Sequence, residues 1–179
     1  IEVNSSEMEN REQYWKTANN NYARNAVSSN AIDYQSLQQK WHYDTGSKGE
    51  IVFSTPAVTS EQIIVVTEMG WVVSINPHTG LEDCSVRIRA SNRSTPTVEE
   101  GMIFLTGGAD QTLYALDINN GNIIWSKHLG QAAVYEAPLY RDGVLYVGSG
   151  LDTNANVFAF TAATGELIWK IVFGGEAFF

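Results

Sequence analysis

The side chains best spaced for chemistry are the oxygen ligands at Asp152, Asn154 and Asn156. Alternating carboxylate and amide oxygens of this kind form the start of a calcium loop. Val157 stands where such a loop needs glycine, and Ala163 where it needs a bidentate glutamate, so the string is read foremost as a polar hairpin turn and only weakly as a metal site. Glu50, Arg93 and Glu136 each stand just ahead of an apolar, β-type run, where the plain reading is a solvated loop charge. His42, His78 and His128 are scattered and share no metal-ligand spacing. Cys84 is the only cysteine, so neither an internal disulfide nor a multi-cysteine metal site can form. The nucleophile-elbow, zinc-protease, phosphate-loop and dinucleotide motifs are all missing. Nothing in these residues amounts to a catalytic constellation.

The elements that would position such groups are short strands. Hydrophobic residues make up 44% of the 179 and charged residues 17%, a folded composition. The formal net charge is −9 with no basic cluster, which disfavours a nucleic-acid partner. No apolar run approaches the length of a membrane span.

Three segments repeat: Ser74-Ile-Asn76-Pro-His-Thr79-Gly80-Leu-Glu-Asp-Cys84, Ala115-Leu-Asp117-Ile-Asn-Asn120-Gly121-Asn-Ile-Ile-Trp125, and Ala159-Phe-Thr161-Ala-Ala-Thr164-Gly165-Glu-Leu-Ile-Trp169. Their glycines lie 41 and 44 residues apart (80 to 121, 121 to 165). A second landmark precedes each: Pro56, Pro96 and Pro138, 40 and 42 apart. Between the landmarks lie short β-branched or aromatic runs at 63–67, 102–106 and 144–148, each followed by another at 71–75, 112–116 and 157–160. A strand starting at each proline and one carrying Cys84, Trp125 or Trp169 complete four strands per period of about 42 residues, the period of a propeller blade. Helices of ordinary length do not fit, because Gly or Asn-Gly interrupts each apolar run. The fold class is therefore all-β: a β-propeller of four-stranded antiparallel blades.

The string Ala-x-Asp-x-x-Thr-Gly-x-x-x-Trp resembles the tryptophan-docking motif of pyrroloquinoline-quinone (PQQ) repeat propellers, the quinoprotein alcohol-dehydrogenase-like superfamily. The resemblance makes Trp41, Trp125 and Trp169 the docking indoles and Gly80, Gly121 and Gly165 the turns beside them. The third copy has Thr161 in place of Asp, and the first has Cys84 in place of its Trp. A looser blade contact is expected there, and restoring the ring by Cys84→Trp is expected to raise the melting temperature. Ser-Thr-Pro-x-Val at 54–58 and 94–98 also resembles the inner-strand opening of the family. The head, with Trp15, Asn21, Arg24, Ile32, Leu37 and Trp41, is similar to the lead-in of polyvinyl-alcohol dehydrogenase-like proteins.

The resemblance implies a domain plan. Residues 1–36 form a lead-in, 37–45 an outer strand of a missing closing blade, 52–89, 92–130 and 134–173 three blades, and 174–179 the start of a missing next blade. Closed propellers need roughly four to eight blades, so the chain is expected to be part of a larger ring, completed by further blades or by a second chain. A quinoprotein of this kind carries PQQ and Ca²⁺ and uses an aspartate base on an alcohol. Propeller ligands usually meet just ahead of the inner strands, which makes Glu50, Arg93 and Glu136 the cofactor-binding candidates and Asp152, Asn154 and Asn156 the metal candidates. Many members also place a disulfide of adjacent cysteines beneath the cofactor, which this chain cannot form. The alternative is a non-catalytic, protein-binding propeller similar to the outer-membrane assembly lipoproteins of the superfamily. Either implies an extracytoplasmic protein.

Overall fold

The structure, a computed structural model, describes residues 37–49, 52, 54–88, 94–130, 137–150 and 154–174. The described residues form three four-stranded antiparallel sheets and two short 3₁₀ turns, Gly46–Lys48 and Gly108–Asp110. The first sheet runs β1 (Ala57–Val58), β2 (Ile63–Val66), β3 (Trp71–Ile75) and β4 (Glu82–Arg87). The second runs β5 (Thr97–Glu99), β6 (Met102–Thr106), β7 (Thr112–Asp117) and β8 (Ile123–His128). The third runs β9 (Leu139–Arg141), β10 (Val144–Ser149), β11 (Asn154–Thr161) and β12 (Leu167–Gly174). Each strand pairs with its neighbour in sequence, so every sheet is a simple meander and its local turns set the register.

Those turns are readable residue by residue. Two of the inner hairpins close over two residues, Glu100-Gly101 and Asp142-Gly143, all four at positive φ, which matches the right-handed twist of the flanking strands. The outer hairpins share a different turn. Gly80, Gly121 and Gly165 sit at φ +72°, +72° and +65°, and each N–H donates to the carbonyl four residues back, at Asn76, Asp117 and Thr161. Asn76 and Asp117 further accept backbone N–H bonds through their side chains, at 2.9 Å from His78 and 2.7 Å from Asn119, which explains an Asx residue at that position. Just beyond, each outer strand carries one bulge: Ser74, Ala115 and Ala159 pair with Cys84, Trp125 and Trp169, and the register shifts at the next residue.

The core lies between sheets. Ala57, Ile64, Val66, Val72 and Ile88 of the first sheet pack on Val98, Ile103, Leu105, Tyr114 and Leu116 of the second. The opposite face of the second sheet, with Phe104, Leu113 and Ala115, packs on Tyr140, Leu145, Val147, Phe158 and Phe160 of the third. A sheet apolar on both faces needs a neighbour on each side, which is why β6 is buried at every residue. The two outer faces differ. Val73 and Ile75 of the first sheet are buried, whereas Trp169, Ile171 and Phe173 of the third are 38%, 48% and 46% exposed. Residues 37–45, expected as an outer strand, belong to no sheet here. An outer strand forms only against a third strand of its own blade, and none of the described sheets offers one.

Candidate functional site

The sheets meet at seams, and the seams bring the repeat residues together. Trp125 projects from β8 opposite Ala115, whose small side chain leaves room for the indole. Its Nε1 donates to the Ala162 carbonyl at 2.9 Å, and its ring lies over Gly165, where a Cβ would come within 2.7 Å of two ring carbons. Phe104 sits 6.1 Å away, centroid to centroid, and Tyr140 lies beyond it, stacked on Phe104 at 6.3 Å. Trp41 makes the same arrangement on the first sheet: Nε1 donates to the Pro77 carbonyl at 2.9 Å, and a Cβ on Gly80 would stand 2.5 Å from the indole. Pro77, Ile118 and Ala162 are equivalent, each three residues before its glycine.

The third acceptor, Ile118, has a different donor. With Cys84 in the tryptophan position, the Gln62 amide of the first sheet reaches across and donates from Nε2 to the Ile118 carbonyl at 3.0 Å. Val86, two residues on, takes the place beside Gly121. Trp169 has an equivalent register against Ala159 and lies 6.0 Å from Tyr146, on the open face of the third sheet.

At the inner edge, Ser54 and Ser94 hold the ends of β2 and β6: the Ser54 hydroxyl donates to the Val66 carbonyl at 3.1 Å, and the Thr106 N–H donates to Ser94 Oγ at 3.3 Å. The neighbouring Thr55 N–H donates to Thr95 Oγ1 at 3.1 Å across the first seam. Across the second, Thr97 Oγ1 donates to the Pro138 carbonyl at 2.5 Å, and the Tyr140 hydroxyl to Glu100 at 2.6 Å. Burial and the bond to Glu100 both push the Tyr140 hydroxyl above its ordinary pKa.

A charged clasp ties residues 43–48 to β4. The Glu82 carboxylate accepts from Lys48 Nζ and the Tyr43 hydroxyl, and from the Ser85 hydroxyl at 2.7 Å. Burial alone would raise the Glu82 pKa; the three donors outweigh it and bring it from 4.5 down to about 2. The same contact raises Lys48, while burial and Glu82 raise Tyr43. Thr67 Oγ1 donates to the Lys48 carbonyl at 2.6 Å and extends the clasp.

Glu50, Arg93, Glu136 and Asp152 lie outside the described residues. Asn154 and Asn156 belong to β11, where they pair with Gly174 and Val172, and Asn156 is buried. No three His, Cys, Asp or Glu side chains among the described residues converge as a metal would require. The Gln62 bridge and the Glu82 clasp were not foreseen in the sequence. Gln62 had a signal, since it stands where the aligned sheets carry Met102 and Val144.

Successive four-stranded sheets, the second and third joined where the Trp125 indole covers the Gly165 turn, have the architecture of a PQQ-repeat β-propeller. The family described as outer membrane protein assembly factor BamB matches residues 12–176, and the chain belongs to this family. Solved structures similar to it include a quinohemoprotein alcohol dehydrogenase from Comamonas testosteroni, at 23% identity and TM-score 0.77 over 95% of this chain and 29% of that one. A europium-containing methanol dehydrogenase matches at 20% and 0.77 over 93% of this chain and 34% of that one. BamB from Moraxella catarrhalis matches at 20% and 0.54 over 62% and 33%. At these identities the likeness speaks for the fold, and the chain spans about a third of the length of each structure. No curated protein matches the chain. Among the described residues, no helix is long and apolar enough to cross a membrane.

Proposed function

We propose that these residues are the leading sector of a larger extracytoplasmic propeller, a quinoprotein-like alcohol oxidoreductase whose further blades complete the ring on the Trp169 face. The supporting observation is Trp41: the head that resembles the polyvinyl-alcohol dehydrogenase-like lead-in places its indole on Pro77 and Gly80 of the first sheet. The exposed Trp169, Ile171 and Phe173 supply a matching surface for a following blade. Bound PQQ would supply the two-electron acceptor. The contribution of this chain would be to hold three blades in register, with Glu50, Arg93 and Glu136 as the proposed cofactor-binding side chains and Asp152, Asn154 and Asn156 as the proposed calcium ligands. Titrating the whole protein with PQQ and Ca²⁺, while following cofactor absorbance and alcohol-dependent dye reduction, tests this. Binding at micromolar PQQ with dye reduction is the expected result; no binding would sink the reading.

A second reading rests on the family match over residues 12–176. A non-catalytic propeller would use the same seams to present a rigid surface to a protein partner. It predicts no PQQ binding and a stable complex recovered with an envelope protein.

A further inference from the structure

The two complete seams between sheets are built from different materials. The second is aromatic, with Phe104, Trp125, Tyr140, Phe158 and Phe160, and is fastened at its inner edge by Thr97–Pro138 and at its rim by Trp125–Ala162. The first is almost wholly aliphatic, with Tyr114 its one aromatic member. Its inner edge is fastened by Thr55–Thr95, but its rim has lost the indole to Cys84. There the Gln62 amide alone replaces the indole's hydrogen bond to the Ile118 carbonyl. The Ser74 hydroxyl, 2% exposed, has no hydrogen-bond partner, but neither has Ser149, 1% exposed on the Leu145 and Val147 face of the second seam. What separates the two seams is therefore the ring and its hydrogen bond.

A missing ring removes the dispersion and burial that hold the neighbouring seam shut. The absent ring favours separation at the rim, while the threonine bond at the inner edge keeps the two sheets attached. We propose that the seam between the first and second sheets is a hinge at which this propeller sector opens, with Gln62 as its latch. Opening uncovers Ser74, further exposes the half-buried Cys84 and leaves the aromatic seam intact. The two-seam contrast needs no assumption about PQQ or any partner.

Cys84, the only cysteine of the 179 residues, lies at the hinge and reports its opening. The test is the native-state reaction of Cys84 with a bulky maleimide, in the whole protein with any other cysteine replaced. Gln62→Ala leaves the Ile118 carbonyl without its donor and is expected to speed labelling about five-fold, the equivalent of one net hydrogen bond. Gln62→Met, which copies Met102, is expected to act in the same direction. Trp125→Phe weakens the other seam and is expected to leave the Cys84 rate unchanged. Equal rates in wild type and both Gln62 variants would overturn the hinge. Equal acceleration by Trp125→Phe would overturn it too, because the thiol would then be sensing global unfolding.

Discussion

The indole of Trp125 lies so close over Gly165 that no side chain fits between them, and the same turn holds φ at +65°. Two penalties therefore add in Gly165→Ala: about 1–2 kcal/mol for a Cβ in the left-handed region and about 1–3 kcal/mol for overpacking. Gly143 separates them, since its φ is +80° but a Cβ there would meet nothing within 4 Å. Gly143→Ala should cost only the backbone share. Denaturant unfolding of the two variants gives the difference directly; equal losses would mean that the ring does not press on Gly165.

Trp125 contributes both a ring and a donor, and the two can be separated. Trp125→Phe keeps much of the apolar contact but loses the bond to the Ala162 carbonyl, an expected loss of about 1–2 kcal/mol. Trp125→Ala empties the site beside Phe104 and is expected to lose about 3–5 kcal/mol. A Phe variant as damaged as the Ala variant would put the weight on the hydrogen bond instead.

Much of this architecture was legible in the chain because a propeller repeats. Gly80, Gly121 and Gly165 needed positive φ, and Trp125 and Trp169 recurred four residues beyond their glycines, so turn and outer strand could be placed without any three-dimensional information. What periodicity cannot reveal are contacts made once. Glu82 lies in a strand where the other repeats carry Ile123 and Leu167, and its donors Tyr43 and Lys48 come from the segment ahead of the first sheet. The bond from Gln62 to Ile118 joins residues 56 apart in neighbouring blades, and only the fold brings them together. Of the ligand candidates of the sequence, Asn154 and Asn156 belong to β11, and the other four lie outside the described residues.

Restoring the lost indole is less simple than the repeat suggests. Cys84→Trp places a ring where Val86 already covers Gly121, and its N–H must compete with Gln62 for the Ile118 carbonyl. The expected outcome is coupling: Cys84→Trp raises the melting temperature little by itself, and clearly more when combined with Gln62→Met. A gain of about 1–2 kcal/mol in the double variant corresponds to roughly 2–8 °C for a domain of this size. Strict additivity of the two substitutions would show that indole and amide do not share the acceptor.

The Glu82 clasp should make the attachment of residues 43–48 depend on pH. Its folded pKa, about 2, lies below the ordinary value of 4.5, so the folded form binds the proton less readily than the unfolded chain. The contribution to stability is therefore complete above about pH 4.5 and declines as pH falls towards 2. Glu82→Gln removes it, and the melting temperature of wild type should exceed that of the variant by a constant margin near neutral pH. The margin should close between pH 4.5 and 2. It should be small, of the order of 1–3 °C, and shrink with salt, because the pair is partly solvated. Lys48→Met provides the cross-check: without the ammonium, the remaining donors hold Glu82 less firmly, and the closing of the margin should move to higher pH. A margin that stays constant down to pH 2 would mean that Glu82 is not held as a carboxylate by Lys48 and Tyr43.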